Sequence, residues 1–337
     1  MSSYYADKGA VLADVFGAKR VDVDPHGIVV DGRRFPVVDD VIVLLEPGAY
    51  TKRVSHALEK SLAPPPGQFA SDIQSTFGQE WTAYPRILAE HENEFRQYFD
   101  LVDIDSLGNA TVCDLGCGSG RWSFFLRTRC RQLILVDFSD AIFVARDNLR
   151  DCGNALFFMG DLTNLPLRQG FADLVVCLGV LHHLPVPALY QVRRLRRLAP
   201  RVLVYIYYAL DNRPGYFRAV LAIVTGLRQL TSQVANPKIR SMIAWTLTMG
   251  VYVPVLALGR ILNWLRLGAL VPLYDTYKEK SLQRIRQDVY DRFFTRIEQR
   301  VTKSSVLKLK DTFASVTVSP NLPYWHFLCE SGTGNTD

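Results

Sequence analysis

Between residues 110 and 208 short apolar runs alternate with stretches of helix-forming composition, and this alternation leaves the chain few architectures. The runs are 110–115, 133–136, 155–159, 174–178 and 202–208, with helix-like segments at 139–151 and 187–198 among them. Runs that are apolar throughout, rather than at every second residue, are strands buried on both faces. Strand and helix in turn then give a parallel sheet covered on both sides, with right-handed crossovers. Further on, segments 313–319 and 324–330 flank Pro320-Asn321-Leu322-Pro323 and predict a closing β-hairpin. The expectation is an α/β domain over residues 100–337. Its sheet has seven strands and is mostly parallel, with an antiparallel hairpin at its C-terminal end.

The first run leads into Val112-Cys113-Asp114-Leu115-Gly116-Cys117-Gly118-Ser119-Gly120, a glycine turn between a strand and a helix. Glycines there permit a tight turn and let backbone N–H groups approach a ligand closely. The spacing is neither the dinucleotide G-x-G-x-x-G nor a phosphate-binding loop ending in Gly-Lys-Ser/Thr. It suits a nucleoside whose far end is an amino acid. Asp137 ends the second run, 17 residues after Gly120, where a carboxylate can accept from both hydroxyls of a ribose. Asp161 follows the third run, where it can accept from an exocyclic adenine amine. Each has a structural alternative: Asp137 as a helix cap with Ser139, and Asp161 as the cap of the turn before Asn164-Leu165-Pro166. After the fourth run comes Gly179-Val180-Leu181-His182-His183-Leu184.

In this order the features resemble the class I S-adenosylmethionine-dependent methyltransferase family, whose fold is Rossmann-like, over about 220 residues. The resemblance implies S-adenosyl-L-methionine as cofactor. It implies that Asp114 helps hold the amino-acid end, that Gly116, Gly118 and Gly120 form the loop, and that Asp137 and Asp161 meet ribose and adenine. It further implies that Gly179 and His182 line the methyl-donor pocket. His182 and His183 are the catalytic candidates, since a base is needed only if the acceptor must lose a proton. Either could equally be a satisfied histidine at a strand end. Tyr205, Tyr207 and Tyr208 share the crevice at the strand ends. No Asn/Asp-Pro-Pro-aromatic tetrad follows the fourth run, which disfavours amino methylation of adenine, cytosine or glutamine.

Residues 1–62 read as a small N-terminal unit rich in β-hairpins, with a turn at Asp31-Gly32. Its pattern resembles the zinc-ribbon-derived segment of some bacterial methyltransferases without its cysteines, so no metal is expected. A linker and helical lid are assigned to 63–99, broken by Pro64-Pro65-Pro66-Gly67. Phe77, Trp81, Tyr84 and Leu88 fall at helical spacing, on a face that serves either core packing or a lid over cofactor and substrate. Trp81, Tyr84, Tyr207 and Tyr208 are the substrate-pocket candidates.

Residues 212–305 form a helical insertion. Residues 241–259 are 19 uncharged residues bracketed by Arg240 and Arg260, long enough to cross a bilayer. A single crossing would strand the final hairpin away from its sheet. The open roles are a cap over the substrate, contact with a membrane surface, and an oligomer interface. From Arg260 to Lys310 there are 12 Lys/Arg against 5 Asp/Glu, while the whole chain carries +6. This basic stretch, with a basic helix at 283–300, can face an anionic surface, an acidic substrate or nucleic acid, or be a solvated helix face. No RNA-binding module accompanies it, so nucleic acid is not the expected partner.

Six scattered cysteines without a CxxC pair, and no apolar leader in the first 20 residues, predict a reduced, cytoplasmic protein, with peripheral membrane contact left open. The expected function is methylation of a small apolar or amphiphilic metabolite. A non-catalytic S-adenosylmethionine-binding scaffold and an RNA methyltransferase are the alternatives; the oligomeric state is open.

Overall fold

The computed structural model describes residues 4–24, 27–60 and 70–332. Among them, eleven strands form one sheet: β1 (Val21–Asp24), β2 (Gly27–Val30), β3 (Arg33–Val38), β4 (Val41–Val43), β5 (Thr111–Leu115), β6 (Gln132–Asp137), β7 (Ala155–Met159), β8 (Leu174–Leu178), β9 (Arg201–Tyr205), β10 (Ser315–Val318) and β11 (Phe327–Glu330). Their order is β1-β2-β3-β4-β7-β6-β5-β8-β9-β11-β10. The middle, from β4 to β9, pairs in parallel. Both margins are antiparallel.

The seven strands expected after residue 100 are β5 to β11, with the closing hairpin inserted so that β11 pairs with β9. Seven is nevertheless too few for the sheet. Residues 41–43 pair with Phe158 and Met159 of β7, so the N-terminal strands extend the same sheet. The physical reason is that β7 would otherwise present an open edge of buried, apolar backbone. Val41-Ile42-Val43, buried throughout, caps that edge. The Asp31-Gly32 turn joins Val30 to Arg33 with both residues at positive φ, the geometry that matches the twist of a two-residue hairpin.

The strands β5, β7 and β8 are buried at every residue, as a sheet covered on both faces requires. One face packs against the Gly9–Phe16 and Ala188–Leu195 helices through Leu12, Val15, Val192 and Leu195. The other packs against Glu90–Tyr98, Arg121–Leu126 and Ala141–Asn148 through Phe95, Trp122, Leu126 and Phe143. All six cysteines are unpaired and buried. The Pro64–Gly67 break lies outside the described residues.

Between β9 and β10 the helices Gly215–Thr231, Pro237–Leu247, Val253–Asn263 and Leu282–Phe294 build a separate small core around Ala244, Tyr252, Leu256, Val289 and Phe293. The basic segment expected as 283–300 is helical only to Phe294, and it is not a solvated face. Arg284, Gln287, Val289 and Phe293 are buried on it.

Because β4 completes the parallel sheet, Ile42→Ala should lower the midpoint of the whole denaturant transition by a loss of about 2–5 kcal/mol, with one transition in both proteins. A separate early transition moved by the substitution would show that the N-terminal strands fold on their own.

Candidate active site

The carboxyl ends of β4 to β9 open into a cavity of about 530 Å³, within the usual range for small-molecule sites. The glycine turn forms its floor. Gly116 and Cys117 donate their N–H groups to Val136 O at 2.7 and 3.1 Å, which ties the turn to the neighbouring strand. Gly118 N–H donates to Asp137 Oδ2 at 3.0 Å. Gly116, Gly118 and Gly120 all have positive φ. Close approach adds to this: a Cβ on Gly116 would lie 2.4 Å from Val180 Cγ2, and one on Gly118 would lie 2.7 Å from the Trp81 ring.

Of the cofactor candidates, Gly116, Asp137, Asp161 and Gly179 line the cavity. Asp114, Gly118 and Gly120 lie behind this surface. Asp114 is buried and accepts from Ser123 Oγ at 2.7 Å, which braces the turn against the helix that follows. Burial pushes its carboxyl up to about 7, against the Ser123 hydrogen bond. Asp137 does two jobs. Oδ2 holds the turn, while Oδ1 accepts from Ser139 N and Oγ at 2.9 and 2.7 Å, as its capping alternative anticipated. Asp161 Oδ1 likewise closes a turn with Thr163 N and Oγ1, both at 2.8 Å. Both carboxylates face the cavity and keep lone pairs for a ligand. Leu44, Leu45 and Glu46, just past β4, extend the wall beside Asp161. Sequence reasoning missed this contribution because no motif marks it.

The opposite half of the cavity is aromatic and charged. Phe77 and Trp81 reach it from the Ser71–Ala83 helix, and Tyr98, Tyr205 and Tyr207 from elsewhere. Tyr84 and Tyr208 do not line it, which corrects the substrate-pocket set. The helix ends at Ala83, ahead of Pro85, which disfavours helical backbone at the preceding residue. Tyr84 therefore turns away to pack on Tyr290, and Leu88 lies beyond the helix. Tyr208 follows the strand and packs against Tyr324 and Trp325.

The insertion supplies charges with no sequence motif: Lys280, Arg284, Asp288, Asp291 and Arg292 line this half with Arg121 and Glu80. Glu94, behind them, takes Arg284 at 3.2 Å and Lys280 at 2.8 Å. Burial would raise its pKa, but Arg284, Lys280 and Arg121 hold it well below the usual carboxylate range. Burial, and then Asp291, push the Glu80 carboxyl well above its ordinary value. Arg121, directly after the glycine turn, stacks near Trp81 and Trp122, and its Nη1 is buried without a hydrogen-bond partner. Its place in the chain was the one signal that could have flagged it.

The two histidines separate cleanly. His182 is fully buried, does not line the cavity, stacks on Tyr207 at 4.0 Å, and has no hydrogen-bond partner on either ring nitrogen. Burial, then His183 and Arg300, push its pKa well down. His183 lines the cavity. Its Nδ1 lies 2.8 Å from Ile297 O, an acceptor only, so Nδ1 carries the proton and Nε2 offers a lone pair. Asp291 Oδ1 lies 3.7 Å from Nε2. The other Asp291 oxygen accepts from Tyr207 Oη at 2.7 Å.

Residues 112–200, from the glycine turn past the histidines, match the family model described as a methyltransferase domain. This segment is a methyltransferase domain. It is of the class I, S-adenosylmethionine-dependent kind, with S-adenosyl-L-methionine as the cofactor that its glycine turn and two aspartates fit. Over 95 residues the chain is 35% identical to the ubiquinone biosynthesis O-methyltransferase of Nitrosomonas europaea. That match covers 27% of this chain and 40% of the relative, so the chain spans well under half of that protein's length. Among solved structures it is similar to the magnesium protoporphyrin IX methyltransferase of Synechocystis with bound S-adenosylhomocysteine: 17% identity, 77% of this chain, 94% of that chain, TM-score 0.42. It is also similar to the Haemonchus contortus phosphoethanolamine N-methyltransferase 1: 18% identity, 40% of this chain, 32% of that chain, TM-score 0.35. The matched segment spans the strands β5 to β8, and the aromatic and charged half of the cavity lies mostly outside it.

Two outcomes follow. Asp137→Asn should weaken S-adenosylhomocysteine binding by about tenfold or more in calorimetry, through loss of one charge-assisted hydrogen bond and of the hold on Gly118. His182 has a folded pKa below its unfolded value of 6.5, so its contribution to stability is present above pH 6.5. That contribution is lost by about 1.4 kcal/mol per pH unit as the pH falls below it. His182→Phe should therefore flatten the fall of Tm between pH 7 and pH 5; an unchanged slope would show that His182 takes up its proton in the folded protein.

Proposed function

We propose that the protein transfers a methyl group from S-adenosyl-L-methionine to a hydroxyl of a small amphiphilic acceptor, with His183 as the base. The observation that carries this is the His183–Asp291 pair at the cavity wall. The ring is locked as the Nδ1–H tautomer by Ile297 O, so Nε2 keeps a free lone pair on a side chain that lines the cavity. Asp291 lies beside that nitrogen to balance the charge formed when it takes a proton, and Tyr207 fixes the carboxylate's orientation. The cofactor supplies an electrophilic methyl on a sulfonium. With the cofactor bound, an acceptor oxygen would bond to that carbon as the C–S electron pair leaves with sulfur, and His183 Nε2 would take the hydroxyl proton. The protein's remaining task is to keep oxygen, carbon and sulfur in line and dry, which the aromatic wall of Phe77, Trp81, Tyr98 and Tyr205 serves.

The amphiphilic character rests on the two kinds of lining. Aromatic rings suit a flat or apolar body, and Lys280, Arg284 and Arg292 suit a polar or acidic head. The sequence similarity to a ubiquinone biosynthesis O-methyltransferase supports oxygen as the attacked atom.

Incubation with deuterium-labelled methyl donor and a panel of hydroxylated, amino and carbon acceptors, read by mass spectrometry, tests the proposal. Label on a hydroxyl is expected. His183→Ala should lower kcat by about 10²–10⁴-fold while leaving S-adenosylhomocysteine affinity unchanged. Transfer to carbon, or full activity in His183→Ala, would overturn the assignment; firm cofactor binding with no transfer to any acceptor would favour the scaffold.

A further inference from the structure

We infer that the outer side of the helical insertion docks on an anionic lipid surface. Two helices carry the face. On Gly215–Thr231, Tyr216, Val220, Ile223, Leu227 and Leu230 recur at steps of three and four, and all are exposed. That spacing makes one continuous apolar stripe, which a surface helix normally turns inward. Here the inward side is taken by Phe217 and Arg228. The second helical run, Pro237–Asn263, repeats the arrangement with Ile239, Met242, Trp245, Leu258 and Ile261 exposed, and the chain just beyond it adds Trp264 and Leu265. Trp264 is 92% exposed. Scattered apolar residues on a surface need no explanation, but exposed apolar stripes on two helical runs that both pack on Leu282–Phe294 call for a partner.

Charge identifies that partner. From Asn212 to Tyr274 there is no Asp or Glu, while there are seven Lys/Arg. Arg228 and Arg240 are buried, and Arg218, Lys238, Arg260 and Arg266 are exposed on the same two helical runs or just past them. Exposed apolar and tryptophan side chains flanked by cations, without a single anion, match the apolar boundary and negative headgroups of a bilayer. A protein partner or a second copy gives no reason to exclude every acidic residue over so long a stretch.

The second helical run is long and apolar enough to cross a bilayer, yet its inner side is committed to the protein. Ala244, Thr248, Tyr252 and Leu256 are buried along it, and Arg240 Nη1 donates to Thr76 Oγ1 at 3.3 Å. Less than a third of its apolar stretch is buried, so it lies along the surface with the remainder outward. The face is also close to the site. Tyr274 packs onto Gly259 of this run, where a Cβ would come within 2.2 Å of its ring, and Tyr277, one turn on, lines the cavity.

The inference deepens the amphiphilic-acceptor proposal but is measured without it, because vesicle binding needs no methyl transfer. Full-length protein is mixed with vesicles of equal parts phosphatidylglycerol and phosphatidylcholine, and with phosphatidylcholine alone, and sedimented at low and high salt. Binding to the anionic vesicles is expected, with a blue shift of tryptophan fluorescence and weakening by salt. Arg260→Gln/Arg266→Gln should lower the partition by roughly tenfold or more. Ile223→Glu/Leu227→Glu and Trp264→Glu/Leu265→Glu should abolish it with S-adenosylhomocysteine affinity unchanged. Absence of binding at low salt would overturn the inference. So would a stable dimer that these glutamate substitutions split, since the face would then be an interface between copies.

Discussion

The site depends on the hydrogen bonds by which Gly116 and Cys117 N–H reach Val136 O and Gly118 N–H reaches the Asp137 carboxylate. They join the turn after β5 to the end of β6 and fix a loop rich in glycine. Glycine turns are costly to order because the unfolded glycine chain has much freedom to lose. A buried carboxylate that accepts from the turn and also from Ser139 offsets that cost. The protein's own groups thus hold the cradle, and a ribose there would meet a carboxylate oriented by Gly118 and Ser139.

The charged half of the cavity is built on a different principle. Arg284, Asp288, Glu94 and Lys280 form a network in which no charge is left far from an opposite one. Groups taken out of water remain ionised only with such partners. Glu80, deeply buried with Asp291 nearby and only Gln287 donating to it, is pushed well above its ordinary value instead. Arg121 keeps an unbonded Nη1 at the junction between the glycine turn and this network. The cavity therefore passes from backbone groups and carboxylates at one end to fixed cations at the other.

Much of the cofactor half was legible in the sequence because its chemistry is local. A strand end, a glycine turn and aspartates at the next two strand ends are each set by their immediate neighbours. Tyr84 failed for the opposite reason: helical spacing was carried past residue 83, and Pro85 ends the helix. Tyr208 was placed in the crevice by its position after the fifth run, but the strand stops at Tyr205 and the chain beyond it carries Tyr208 onto Tyr324 and Trp325. Choosing His183 over His182 needed Ile297 and Asp291, which lie more than a hundred residues away. The charged wall is likewise assembled across long separations, and a basic helix looks the same in sequence whether its cations meet water or a cavity. The extra strands were misjudged because a hairpin's own pattern does not say which sheet edge it will join.

The docking of β4 against β7 has a practical consequence. A chain trimmed to residues 100–337 would retain the glycine turn, both aspartates and the histidine pair. It would also lose Leu44, Leu45 and Glu46 from the wall beside Asp161 and bare an apolar rim of unpaired backbone at Phe158 and Met159 of β7. Such a rim recruits other polypeptides. The first sixty residues therefore act as a selvedge for the sheet, finishing the weave where it would otherwise unravel into aggregates.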